Sequence, residues 1–466
     1  MLNLGLPQGK TMEIDRTKRP QTSNEIKFNV PAIEFNKLKN GLKIFFSKKN
    51  ELPIVRINMI VNSGSRFDPE KQKGLSNLLT MCIDEGAGEY DALQLANAFE
   101  MLGAQFSVAS DFDISIVSLQ VLSENFIPAL KLFKSVITEP HINENDYNRE
   151  KNKVLVRLNQ AKVEPDYIAD ISFEYFLFGK ESPYSYPVLG VEKDIENILP
   201  QNVKNYYQQK FTPINSSLVV VGNIDSKSLD KILQDEFNEW ETNSAFHQPE
   251  LNLKKSPKKI FIINKPDSVQ TEIRIGNQSS KRSESDFFQK QIINLVLGGQ
   301  FSSRLNLNLR EKHGYTYGIH SRFNYLKEAG YFEVSTSVST ENTANALREI
   351  FSELKKIKQG ITADEIKFAK SSLSRRFPSN FETYRQISAN ISSKIIHNLP
   401  DDYFETYLQK LDSVSLEEVN KIAADSIYPE ELITVLVGDS KKITELIKEE
   451  EFGEIVVLSF DDVFSI

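Results

Sequence analysis

This 466-residue chain has a single cysteine, Cys82, and only five histidines. One cysteine excludes an intrachain disulfide, so the fold must stand on its core. The histidines, His141, His247, His313, His320 and His397, include no pair four residues apart, so no two imidazoles can grip a metal from one helical face. Each reads as a surface or structural histidine. No apolar run approaches the about 18 residues that a membrane-spanning helix needs. Met1 to Asn24 lack a basic stretch followed by an apolar one, so no signal peptide is visible and a cytoplasmic location is expected. Positive charge is also short: 56 Lys and Arg against 64 Asp and Glu leave a net charge of −8. That balance argues against a nucleic-acid binder, whose basic face must displace counterions from phosphates. The pairs Lys254-Lys255, Lys258-Lys259 and Lys355-Lys356 read as solvated surface.

What the chain does have is size and a repeated plan. Its length exceeds what one hydrophobic core usually serves, so several domains are expected. Asn215 to Asp225, around Leu218-Val219-Val220-Val221-Gly222, resembles Glu431 to Ser440, around Thr434-Val435-Leu436-Val437-Gly438, with the two glycines 216 residues apart. The helical pattern Ile127 to Phe133 resembles Ala344 to Ile350, with Ala129 and Ala346 separated by 217 residues. Two distant matches at nearly one offset indicate an internal duplication.

Each half reads as strands, a helix, more strands, paired helices and a final strand. Leu42 to Phe46 and Val55 to Val61 have strand length and pattern. Ala92 to Met101 carries apolar residues at helical spacing, Phe106 to Ala109 and Ile114 to Leu119 return to strands, and Glu124 to Ile137 and Glu144 to Val163 read as amphipathic helices around Pro140. Grouped strands and grouped helices predict an α+β fold, two homologous halves each with a mainly antiparallel sheet and helices on one face. The expected division is an extended segment over 1–30, a first unit over 31–237, a polar, proline-containing linker over 238–259 and a second unit over 260–466.

Leu38 to Leu42, Asn62-Ser63-Gly64-Ser65-Arg66-Phe67-Asp68, Gly74-Leu75 and Pro183 to Gly190, in this order and spacing, make the chain resemble the pitrilysin/insulinase zinc-peptidase family. In the second half the resemblance rests on Gly298-Gly299, Ser303-Arg304-Leu305 and Leu309-Arg310-Glu311-Lys312-His313-Gly314-Tyr315-Thr316-Tyr317. The family carries an inverted H-x-x-E-H zinc motif on the helix after the second of these segments. Here Asn77, Thr80 and Met81 stand at its three functional places. The family's third zinc ligand is a glutamate on a later helix; anchoring on Glu150 places Val156 there, followed by Arg157. A valine cannot bind a metal, and none of the other three supplies a general base. The resemblance therefore implies no catalytic residue and no metal in this chain.

Arg310 and Tyr317 match the arginine–tyrosine pair with which the family holds substrate. A guanidinium and a phenol both keep their protons at neutral pH and can donate to a peptide carbonyl. Read from spacing alone, Arg310 is an ordinary surface ion-pair former beside Glu311 and Lys312, and Tyr317 fills a strand interface. Gly314 and Gly318 would allow a tight turn. Arg304 reads as an anchor for the helix ahead of Arg310, and Cys82 as a packed thiol. The resemblance implies a half of a clamshell: a non-catalytic subunit that binds peptide or unfolded polypeptide, beside a homologous zinc-bearing subunit that supplies metal and base. The alternatives are a structural scaffold subunit of the same fold and a homodimeric peptide-binding chamber without hydrolysis.

Overall fold

The structure, a computed structural model, describes residues 28–241, 249, 251, 253, 258–428, 431–448 and 452–465. Residues 1–27 of the expected extended segment 1–30, most of the expected linker 238–259 and the pair Lys254-Lys255 lie outside the described residues.

The first half contributes strands β1 (Glu34–Lys37), β2 (Lys43–Lys48), β3 (Ile54–Val61), β4 (Gly86–Ala87), β5 (Tyr90–Asp91), β6 (Gln105–Ser110), β7 (Ser115–Leu122) and β8 (Ser216–Gly222). β4 and β5 make a small hairpin; the others form a sheet in the order β1-β2-β8-β3-β7-β6, in which only β2 and β8 run parallel. The second half contributes β9 (Lys259–Asn264), β10 (Gln270–Ser279), β11 (Ile319–Tyr325), β12 (Gly330–Ser339), β13 (Ile433–Gly438) and β14 (Glu454–Leu458), in the order β11-β12-β10-β13-β9-β14. Five strands of one sheet thus repeat the order and directions of five in the other. The sixth differs: β1 pairs antiparallel with β2, whereas β14 arrives from the C-terminal region and pairs parallel with β9.

The first half also carries helices α1 (Leu75–Cys82), α2 (Ala92–Met101), α3 (Phe126–Thr138), α4 (Glu144–Ala161) and α5 (Pro165–Phe178). Asp91 caps α2 through a reciprocal box with Gln94, and Asn143 caps α4, which fixes where both begin. α1 to α4 pack on one face of the first sheet, as the pattern predicted: Leu78 and Leu79 of α1, Phe133 of α3 and Val154 of α4 share a core with Ile57, Leu119, Leu218 and Val220.

The second face of each sheet was not foreseen. α5 crosses to the other half and packs on β10 and β13. Its Ile168, Phe173 and Leu177 meet Ile433, Val435 and Val437. In return the helix Tyr384–Ile396 of the second half packs on β3 and β8, where Tyr384, Ile387 and Ile391 meet Ile60, Val219 and Val221. This exchange explains why every residue of β8 and of β13 is buried. Alternate residues point to opposite faces, and here both faces are buried.

The α5 contact also carries a polar layer. Arg274 on β10 pairs with Asp166 and with Asp170, at 2.7 Å, along one stripe of α5, and with Glu272 at 3.2 Å. One turn further, Glu174 accepts from the Tyr331 hydroxyl at 3.2 Å and has no cation of its own among these contacts. Burial, reinforced by Asp170 and Glu333, pushes its carboxyl up to about 8. A carboxyl raised above its unfolded value gives its full stabilisation at low pH and loses it as pH rises toward the folded value. Glu174→Gln should therefore leave the melting temperature unchanged near pH 5 and raise it relative to the parent chain at pH 8 and above. Parallel melting curves at both pH values check the sign.

Candidate functional site

The two expected sites sit on different halves. The first is built around the N-terminus of α1. Gly74 caps α1 with φ +99, and Gly190, φ +95, approaches it so closely that a Cβ there would stand 2.5 Å from the Lys73 carbonyl oxygen. The segment Pro183 to Gly190 is thus a brace for α1. Asp68 closes the cap: its two carboxylate oxygens accept from the N–H groups of Gly74 (2.7 Å) and Ser76 (2.8 Å). Burial pushes the Asp68 carboxyl up to about 7 against those two donors and Lys73. Two residues earlier, buried Arg66 forms an ion pair with buried Asp113 at 3.0 Å. Asp113 also accepts from the Tyr184 hydroxyl (2.7 Å) and from the backbone N–H of Lys327 (2.8 Å), which lies in the turn between β11 and β12. The Asn62–Asp68 motif therefore serves structure. It caps α1 and locks a hairpin of the second half onto the first.

On α1 itself, Thr80 turns its hydroxyl back to the Asn77 carbonyl oxygen at 2.7 Å, and the Asn77 Nδ2 is buried without a hydrogen-bond partner. Met81 receives the Arg157 guanidinium, whose Nη1 lies 3.7 Å from Sδ. Val156, the position assigned to the third ligand, is 55% exposed and does not make this contact. Val154 and Leu158 of α4 are buried in the first core, and Arg157, three beyond Val154, lies nearer that stripe than Val156 does. Cys82 is buried in the same core, and burial together with Glu150 and Glu85 holds its thiol well above the ordinary range.

These residues do not fit zinc. An amide, a hydroxyl, a thioether and a guanidinium offer no imidazole, thiolate or carboxylate, and the guanidinium repels a cation. Among the described residues no group of three His, Cys, Asp or Glu side chains is arranged to hold a metal. The geometry gives a direct test. Asn77→His, Thr80→Glu and Met81→His combined with Arg157→Glu should bind zinc stoichiometrically by metal analysis. The same set with Val156→Glu in place of Arg157→Glu should not.

The second site lies in the C-terminal half. Arg310 sits in a stretch of π-helix, Asn306–Lys312, a rare geometry with i→i+5 hydrogen bonds that is frequent at functional sites. The π-turn packs on β11 and on the helix Thr343–Lys358, to which Asn308 ties it by donating to Glu349 (2.8 Å) and Glu353 (2.9 Å). The Arg310 guanidinium lies 4.2 Å over the Phe301 ring, and its ion pair with Glu311 is long, at 3.5 Å. Tyr317 is 97% exposed, so it does not fill a strand interface. Gly314 has φ +66 and needs glycine; Gly318 has no positive φ, and a Cβ there would make only an ordinary contact with His320 at 3.7 Å, so the turn depends on one glycine, not two. Arg304 is the anchor it was read to be, with both guanidinium bonds to Glu365 at 2.7 Å. These contacts of Arg310 and Tyr317 are local; they do not meet Asn77, Thr80, Met81 or Val156. The π-turn and the Phe301 support left no readable signal in the sequence.

Residues 43–175 match the family description "Insulinase (Peptidase family M16)", and residues 197–373 match "Peptidase M16 inactive domain". The chain belongs to the M16, insulinase-type, peptidase family. It is 24% identical over 416 residues to "Non-peptidase homolog YmxG" of Helicobacter pylori, a match spanning 88% of this chain and 94% of that protein. It is 23% identical over 411 residues to "Uncharacterized zinc protease YmxG" of Bacillus subtilis, spanning 86% and 97%. Among solved structures, a peptidase M16 inactive domain from Pseudomonas fluorescens superposes with a TM-score of 0.82 at 25% identity, covering 87% of this chain and 98% of that one. A protease from Helicobacter pylori, at 19% identity and a TM-score of 0.80 over 88% and 100%, shares the fold. Among the described residues no helix is long and apolar enough to cross a membrane.

Proposed function

We propose that this chain is the non-catalytic, substrate-binding subunit of a two-subunit zinc peptidase. A homologous partner supplies zinc and the general base. This chain supplies Arg310, Tyr317 and half of the chamber wall, and the substrate is a peptide or an unfolded polypeptide. One observation carries the reading: an arginine propped on an aromatic ring and a wholly exposed tyrosine stand ready to donate in one half, while α1 of the other half presents Asn77, Thr80 and Met81, with no imidazole or carboxylate among them. Tyr317 makes no packing contact that holds its hydroxyl away from solvent, so that hydroxyl is free to donate to a bound peptide. The likeness to an M16 inactive domain agrees with the same division of labour.

The chemistry asked of the chain is modest. The Arg310 guanidinium presents N–H edges beyond the Phe301 ring, and the Tyr317 hydroxyl adds a second donor. Together they can fix a peptide backbone and stabilise negative charge on its carbonyl oxygen. The test is to purify the chain alone and together with the zinc-bearing family member from the same genome. Peptide hydrolysis should require both. Comparable hydrolysis by the lone chain would refute the division.

A further inference from the structure

We propose that Asn306 is a positioning residue that fixes the span between Arg310 and Tyr317; the inference rests on reading that pair as a substrate clamp. Asn306 opens the π-turn, four residues before Arg310, and is 3% exposed. Its Nδ2 donates to the Ile319 carbonyl oxygen at 2.7 Å, and its Oδ1 accepts from the Ile319 N–H at 3.3 Å. Ile319 is the first residue of β11 and lies two after Tyr317. One amide side chain therefore grips both backbone groups of one residue, as a neighbouring strand would. The same Nδ2 reaches the Ser303 hydroxyl (3.2 Å) and the Gln300 carbonyl oxygen (3.3 Å), which ties the grip to the segment that carries Phe301.

The other side of Tyr317 is pinned as well. The Thr316 hydroxyl accepts the Gly318 N–H at 3.1 Å, and the Thr336 hydroxyl on β12 donates to the Gly318 carbonyl oxygen at 2.9 Å. Tyr317 itself packs on nothing, so its position relative to Arg310 is set through the backbone on either side. Two donors that must meet one peptide carbonyl have to hold their spacing to within about 0.5 Å. Asn306 is the side chain that bridges the element bearing the guanidinium to the segment bearing the phenol. Sealing the edge of β11 is the alternative role, since Gly298 already accepts from the Ser321 N–H there at 3.3 Å. Edge sealing predicts lost stability; positioning predicts lost binding in a folded protein.

The experiment uses the full chain and a fluorescein-labelled disordered peptide, read by anisotropy, with melting temperatures measured alongside. Asn306→Gln keeps the amide but moves it, and Asn306→Ser removes its reach. Both are expected to weaken peptide binding by about tenfold, the scale set by a small misplacement of a binding group. Combined with Arg310→Ala, either should cost less than the sum of the separate losses. Fluorotyrosine placed at position 317 should show a shifted, broadened fluorine resonance in the Asn306 variants. Unchanged affinity in both Asn306 variants, full additivity with Arg310→Ala, or lost binding only in proteins that have unfolded would overturn the positioning role while the clamp stands. Unchanged affinity in Arg310→Ala and Tyr317→Phe themselves would overturn the clamp reading and the inference with it.

Discussion

Arg310→Ala together with Tyr317→Phe should slow peptide turnover by the paired subunits by roughly 2–4 kcal/mol of transition-state stabilisation, the range for removing donors aimed at a developing oxyanion. The loss should appear mainly in kcat if the two groups act on the transition state, and mainly in KM if they only hold the ground state. Tyr317→Phe keeps the ring and removes only the hydroxyl, so it separates hydrogen bonding from surface contact. Neither change should lower the melting temperature appreciably, because Tyr317 is wholly exposed and the Arg310–Glu311 ion pair is long. A scaffold subunit of the same fold would tolerate both changes. A double variant with wild-type turnover in the assembled pair would favour that reading.

Asp113→Ala should destabilise the chain by about 3–5 kcal/mol, because it leaves a buried guanidinium without its counter-charge. Both partners are almost fully buried, Arg66 at 2% and Asp113 at 6% side-chain exposure, so little water is available to compensate. The same carboxylate also holds the Tyr184 hydroxyl and the turn between β11 and β12. Its loss should loosen one half from the other as well as weaken the first. Lys327→Ala is the internal control. The bond to Asp113 comes from the Lys327 backbone, so this variant loses only the Nζ contact to Asn62 at 2.7 Å and should cost far less. Denaturant melts of both variants check the ranking; equal stabilities would contradict the account.

Local pattern made much of this legible. The matching strands β8 and β13 and the matching helices α3 and Thr343–Lys358 lie at equivalent places in the two sheets, as the repeated offset implied. Helices α2 and α4 lie within a few residues of their apolar spacing. What failed were the readings that depend on where a residue points or what comes from far away in the chain. Counting from Glu150 reached Val156, but packing turns Arg157 toward Met81. Spacing placed Tyr317 in an interface, because seven residues on an ordinary helix and strand give no hint of a π-turn followed by an exposed loop. The unbroken apolar runs of β8 and β13 signalled burial on both faces but not what would cover the second face. Sequence periodicity records that a face is apolar and carries no address for its partner.

The reciprocal crossing of α5 and the helix Tyr384–Ile396 makes each half depend on a roof carried by the other. A cut anywhere in the 238–259 connection would not yield two tidy fragments. With the halves parted, Val219 and Val221 on one side and Val435 and Val437 on the other would be stripped of their cover and face solvent. Nicked protein should therefore migrate as one body under native conditions and come apart only when denatured, each piece still roofing the other.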